Sequence, residues 1–258
     1  MGIGVSTACF YPLETEKAFE RIGRMGEGVT EVFFNSMSEI KKPFLANRCD
    51  IRDLYGLRVK AVHPFMSFGE PYLLFSEYER RFTDTLEVYK YYYEAANTLG
   101  ADVLVIHGGK LPTSFPETQY FERFAKLAAS GREYGVAVAQ ENVVRFRSQS
   151  PDFLVRMRNY IGDGFRMVLD LKQAVRAGFS PFDFTGALAR QTAHIHISDH
   201  CRRRDCRPPG EGEFDFARLF SEMKAADYQG DYIIELYRHN FTEDSQILKA
   251  KTLLERML

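Results

Sequence analysis

The chain has almost no net charge: 34 Lys and Arg face 35 Asp and Glu across 258 residues. That balance excludes the general basic footprint of a nucleic-acid binder and leaves only local patches open. No apolar window reaches transmembrane length, and the N-terminus lacks the basic start and apolar run of a signal peptide. No membrane partner is expected. Cysteine is scarce. Cys9, Cys49, Cys201 and Cys206 include no Cys-x-x-Cys pair, and a chain of this length needs no disulfide framework. They read as reduced thiols in a cytoplasmic protein. Cys201 and Cys206 flank "CRRRDC", but a zinc knuckle there wants further ligands at suitable spacing. Glycine is missing from "STACFYP" after the first apolar run. A doubly wound, dinucleotide-binding sheet usually carries a glycine-rich turn at that point.

With 45% hydrophobic residues the chain can bury a sizeable core. Eight β-rich apolar runs occupy 3–10, 30–35, 59–65, 102–109, 136–143, 165–171, 192–199 and 231–237. Helical segments at 15–25, 77–99, 116–134, 151–160, 182–190, 215–227 and 243–257 alternate with them. A further helix within 37–55 is poorly marked, because "KKP" interrupts it. Strands alternating with helices imply βαβ units and a parallel sheet, and eight units in about 250 residues is the size of a (β/α)8 TIM barrel. One domain over 1–258 is the simplest account. The aromatic segment "MSFGEPYLLFSEYE" after the third strand is long enough to be a lid or cover over the barrel mouth.

"TAHIHISDH", residues 192–200, holds three of the six histidines. Strand periodicity puts His194, His196 and Ser198 on one face and Ile195 and Ile197 on the other. Other ionisable groups fall at comparable places: His63, His107, Glu141 with Asn142, Asp170 and Glu235 lie near the C-terminal ends of strands three, four, five, six and eight. In a barrel those ends converge on the face that carries active sites. Two glutamates, an aspartate and a histidine make a mixed oxygen and nitrogen site. Such a set suits Mn²⁺, Mg²⁺ or Co²⁺ and can also hold Zn²⁺.

"AQENV", "VLDLKQA", "HIHISDH" and "IIELY", in that order and spacing, resemble the xylose isomerase-like superfamily of TIM barrels. That group includes ketose 3-epimerases, inosose isomerases and dehydratases, and endonuclease IV. The resemblance implies that Glu141, Asp170, His196 and Glu235 hold one divalent ion, Mn²⁺ first among the candidates. It also gives Glu141 and Glu235 the acid–base work of an enediolate isomerase or epimerase acting on a sugar, sugar phosphate or inosose. A dehydratase on the same site, a nuclease-like phosphodiesterase and a non-catalytic sugar-binding barrel are the alternatives. One departure separates the branches. Many members carry Asp-x-x-His at strand six, and here the last position is Gln173. Arg207 likewise stands where a three-metal nuclease wants a histidine. His63 and His107 do match that nuclease, but without the other histidines its cluster is incomplete.

His196 is expected to be the ligand, and His194, one pleat deeper, a supporting or barrel-interior group. His63, His107, Gln173 and His200 are candidate substrate contacts. Arg207, beside the "PPG" turn, is the arginine best placed for a substrate phosphate or carboxylate. Asp215 is placed to cap the helix after "PPGEGEFDF". Family habit points to a homodimer or homotetramer.

Overall fold

The computed structural model describes residues 1–26 and 28–258. Eight parallel strands close into a barrel. They are β1 (Ile3–Ser6), β2 (Val29–Phe33), β3 (Arg58–His63), β4 (Val103–Ile106), β5 (Ala137–Glu141), β6 (Met167–Asp170), β7 (Thr192–Ile197) and β10 (Tyr232–Ile234). Around the barrel the order is β1-β10-β7-β6-β5-β4-β3-β2, closing on β1. This is the expected (β/α)8 architecture, and every expected strand is present in shorter form. The remaining two strands, β8 (Asp199–Cys201) and β9 (Arg204–Arg207), form an antiparallel hairpin in the loop after β7, which the sequence reading left unstructured.

The helices are α1 (Thr15–Arg24), α2 (Lys42–Tyr55), α3 (Glu70–Leu73), α4 (Glu79–Leu99), α5 (Glu117–Glu133), α6 (Pro151–Ile161), α7 (Leu171–Arg176), α8 (Pro181–Leu188), α9 (Phe216–Ala225) and α10 (Asp244–Glu255). The expected interruption at "KKP" is instead a beginning. Pro43 lies in the first turn of α2. A proline there loses no helix hydrogen bond, because the first N–H groups have no intrahelical partner. Asp215 caps α9 as expected, its carboxylate accepting from the Arg218 N–H at 2.9 Å. No helix among the described residues is long and apolar enough to cross a membrane.

Strand alternation divides the side chains into two sets. Ile3, Val5, Val32, Val62, Leu104, Ile106, Val138, Leu169, Ile195 and Ile197 join the large apolar cluster between sheet and helices. Ala61, Val103, Val105, Ala139 and Val168 form a separate small cluster inside the barrel. Above these small residues, the next inward position on several strands is ionisable. The interior therefore has room for polar side chains at its C-terminal end.

The closure is tight at β1. A Cβ on Gly4 would lie 2.4 Å from the Val29 carbonyl oxygen and 2.7 Å from Ile233 Cδ1. The carbonyl is ladder backbone and cannot step aside. Gly4→Ala should therefore destabilise the protein by about 1–3 kcal/mol, the usual cost of overpacking. Urea unfolding checks this; an unchanged midpoint would show that the barrel seam yields.

Candidate metal centre

The short α7 starts directly after β6, and Asp170 is its N-cap. Its Oδ1 accepts from the Gln173 N–H at 2.8 Å, which leaves Oδ2 for the barrel mouth. Asn142 fixes the same residue through its backbone. Its side chain accepts from the Asp170 N–H at 2.6 Å and donates to the Asp170 carbonyl at 2.9 Å. Asp170 is thus held on both sides by ladder-like bonds before any ligand arrives.

Four strands bring Glu141, Asp170, His196 and Glu235 together, with one ligand atom of each within 4.8 Å of the others. His196 Nδ1 is the hub. It lies 3.4 Å from Glu141 Oε1, 3.6 Å from Asp170 Oδ2 and 3.6 Å from Glu235 Oε2. Those separations are what donors about 2.0–2.2 Å from a common ion would show. His196 Nδ1, Asp170 Oδ2 and Glu141 Oε2 are buried without a hydrogen-bond partner among the described residues. Glu141 Oε2 faces His107, and Glu141 Oε1 is the oxygen at the hub. Buried polar atoms are ordinarily paired, so the two orphans that meet at the hub, His196 Nδ1 and Asp170 Oδ2, fit a cation site. The residues present suit a divalent metal.

Glu31 stands beneath the hub. Its Oε2 lies 2.9 Å from His196 Nε2 and 3.0 Å from His194 Nε2, and its Oε1 accepts from the Ser6 hydroxyl at 2.9 Å. Since β2 and β7 are not neighbours in the sheet, these contacts cross the barrel interior. Burial opposes ionisation of Glu31, but His196 and His194 outweigh it and hold the carboxyl well below its ordinary range. With a metal bound, a charged Glu31 would hold the His196 proton on Nε2 and leave the Nδ1 lone pair for the ion. His194 lies fully buried in the interior and outside the four-residue group.

A second group shares Glu141. His63, His107 and Glu141 also have ligand atoms within 4.8 Å of one another. His107 Nε2 is 3.0 Å from both Glu141 Oε2 and His63 Nε2. His63 is buried, and its other ring nitrogen is 3.1 Å from the Pro64 carbonyl, so no ring nitrogen is left for a substrate hydroxyl. His107, 23% exposed, faces the opening. Burial disfavours an ionised Glu141, but His107 foremost, with His196 and His63, keeps the carboxyl well below its ordinary range.

Glu70 fastens the segment after β3. Its buried carboxylate accepts from the His107 N–H at 2.7 Å, the Gly108 N–H at 2.6 Å and the Tyr89 hydroxyl at 2.8 Å. Gly108 is required there: its φ is +85°, and a Cβ would meet the Tyr120 hydroxyl at 2.0 Å.

The remaining candidates lie around this centre. The Gln173 side-chain oxygen accepts from the Val144 N–H at 3.2 Å, so only its NH₂ is open to a substrate. The His200 ring rests against Phe214, 5.8 Å between centroids, and is not brought into the cluster. Asp199 organises the glycine turn instead, accepting from the N–H groups of Gly210, Gly212 and Phe214 at 2.9, 2.9 and 3.1 Å. Arg207 pairs with Glu211 at 3.4 Å and lines a 700 Å³ cavity with Arg176 and the hairpin-tip residues Arg202–Arg204. All four cysteines are free, and none belongs to a metal-ligand group among the described residues.

Two functional side chains have no counterpart in the sequence reading. Glu31 is a charge inside the apolar run "TEVFFN", which is a usable signal. Lys172 gave none, since a lysine in the first turn of a helix ordinarily faces water. Here its side chain is 4% exposed, with Nζ 2.5 Å from Glu235 Oε2 and 2.9 Å from Asp170 Oδ2. Burial works against the ammonium, but Asp170 and Glu235 keep it charged.

The xylose isomerase-like TIM barrel family matches residues 27–257. The chain belongs to that family. An uncharacterized protein of Mycobacterium leprae is 24% identical over 261 residues, which is 91% of this chain and 88% of that protein. A solved D-tagatose 3-epimerase-like protein is 20% identical with a TM-score of 0.79, covering 100% of this chain and 97% of its own. An apo 3-keto-D-glucoside 4-epimerase from E. coli is 17% identical with a TM-score of 0.77, covering 99% of each chain. The IolI protein, solved with a zinc atom, is 16% identical with a TM-score of 0.80, covering 100% of this chain and 99% of its own. At these identities the structures share the fold.

Glu31→Gln tests the support under His196. The amide can donate to Nε2 and move the ring proton to Nδ1, where the metal would bind. Mn²⁺ affinity, read by calorimetry, should fall by about 10–100-fold. An unchanged affinity would remove Nδ1 from the ligand set.

Proposed function

We propose that the protein is a divalent-metal-dependent isomerase or epimerase of a sugar or cyclic polyol ketone. The observation that carries this reading is the convergence of Glu141, Asp170, His196 and Glu235 at the barrel mouth, with His196 Nδ1 and Asp170 Oδ2 buried there without a hydrogen-bond partner among the described residues. When bound, a divalent ion supplies Lewis-acid polarisation of a carbonyl and stabilises the negative charge that develops on its oxygen. The epimerase and epimerase-like proteins that share this fold support the same class.

The chain's own residues then move the proton. Glu141 and Glu235 reach the cluster from β5 and from just past β10, with β6 and β7 between them. One carboxylate removes the proton from the carbon next to the carbonyl, leaving an enediolate. For epimerisation the other returns a proton to the opposite face of that carbon. For isomerisation the proton goes to the neighbouring carbon. His107 and the Gln173 NH₂ would bond substrate hydroxyls. The arginine-lined cavity holding Arg207 would take a phosphate or carboxylate on the substrate. A dehydratase shares every step up to the enediolate and then expels a hydroxyl.

One observation favours a second reading. The His63–His107–Glu141 group could hold another ion, as a phosphodiesterase of the nuclease branch would require. Gln173 and Arg207 stand against a third.

Solvent deuterium uptake into a panel of ketoses and inososes tests the proposal. The wild type should label a substrate, and Glu141→Gln and Glu235→Gln should each slow labelling by about 10²-fold or more. Labelling that survives both substitutions would reject these acid–base roles. Cleavage of a phosphodiester with no labelling would favour the second reading.

A further inference from the structure

Lys172 puts a positive charge where the proposed metal would also bring one. It is the second residue of α7, two positions beyond the Asp170 cap. Its ammonium hydrogen-bonds Glu235 Oε2 at 2.5 Å. It approaches Asp170 Oδ2 at 2.9 Å without hydrogen-bond alignment, so that oxygen keeps a lone pair for the cluster. These are the same two oxygens that stand 3.6 Å from His196 Nδ1. The Tyr237 ring backs the ammonium, its centroid 5.2 Å from Nζ. A lysine used only for packing would carry its charge out to water along its flexible stem. This one is held inside by two carboxylates and an aromatic face.

We propose that Lys172 is the built-in counter-ion of the metal centre, a permanent cation that shares Asp170 and Glu235 with the divalent ion. The inference rests on the metal-dependent reading above. Glu141, Asp170 and Glu235 together carry three negative charges, and the ammonium offsets one of them before any divalent ion arrives. With no ion bound, Lys172 separates two carboxylates that would otherwise repel each other in a poorly solvated site. With an ion bound, the ammonium weakens its hold. The centre therefore trades some metal affinity for a cluster that stays assembled without metal.

Lys172→Met keeps most of the side-chain volume and removes the charge, and Lys172→Arg keeps the charge. Each is compared with the wild type after chelator treatment, by Mn²⁺ calorimetry and by thermal melting with and without Mn²⁺. Metal-free Lys172→Met should melt below the wild type. It should bind Mn²⁺ at least about tenfold more tightly, since a nearby positive charge is gone. Its rise in melting temperature on adding Mn²⁺ should exceed that of the wild type. Lys172→Arg should stay near the wild type in all three. Mn²⁺ affinity unchanged in Lys172→Met would make the lysine a structural ion pair and overturn the proposal. Weaker binding would overturn it too, by showing that the lysine shapes the ligands. If the wild type itself binds no Mn²⁺, the metal-dependent reading fails. The counter-ion proposal falls with it, and a metal-free melting loss in Lys172→Met that Lys172→Arg restores then marks a structural ion pair.

Discussion

Mutual repulsion among three carboxylates governs the mouth of this barrel. Glu141, Asp170 and Glu235 come from different strands and end within 4.8 Å of one another. Like charges at that range, poorly solvated, would drive the ends of β5, β6 and β10 apart unless cations stand between them. The surrounding structure supplies them in layers. His196 sits at the hub, Lys172 bridges two of the oxygens, and His107 stands against the third carboxylate. Glu31 lies below and keeps His196 oriented. Small residues lower in the barrel leave the room in which these long polar side chains meet.

The same constraint links fold to chemistry. A closed parallel barrel is the arrangement in which residues far apart in sequence share one rim, and each rim residue is the last inward position of its strand. Asp170 joins both functions in one side chain. One oxygen starts α7 and the other enters the cluster, so the strand-to-helix turn sets the ligand's position. Glu70 works similarly at β4, where its carboxylate ties the segment after β3 to the backbone of His107. Rigid anchoring of this kind suits a site that must hold several like charges at fixed spacing.

Much of this was legible in the chain. The eight apolar runs mark the strands because both faces of each are covered, and the ionisable residues ending them mark the rim. His194 and His196 could be ranked by the two-residue period alone. The proline in "KKP" misled because its meaning depends on which turn of a helix it occupies. The β8–β9 hairpin was hidden in a run of arginines with no apolar alternation. Lys172 was hidden for a different reason. Nothing local distinguishes a lysine that faces water from one drawn inward by Asp170 and by Glu235, 63 residues away. Glu31 was only partly hidden, since a charge within an apolar strand asks for a partner across the barrel. Its partners, His194 and His196, lie more than 160 positions along the chain.

The central claim is that Glu141, Asp170, His196 and Glu235 share one divalent ion at the rim. Anomalous diffraction from crystals soaked in Mn²⁺ tests it most directly. The account predicts a peak roughly 2.0–2.3 Å from His196 Nδ1 and from oxygens of Glu141, Asp170 and Glu235, with Lys172 still touching the last two. A peak confined to His63, His107 and Glu141, or no peak at millimolar Mn²⁺, would contradict it.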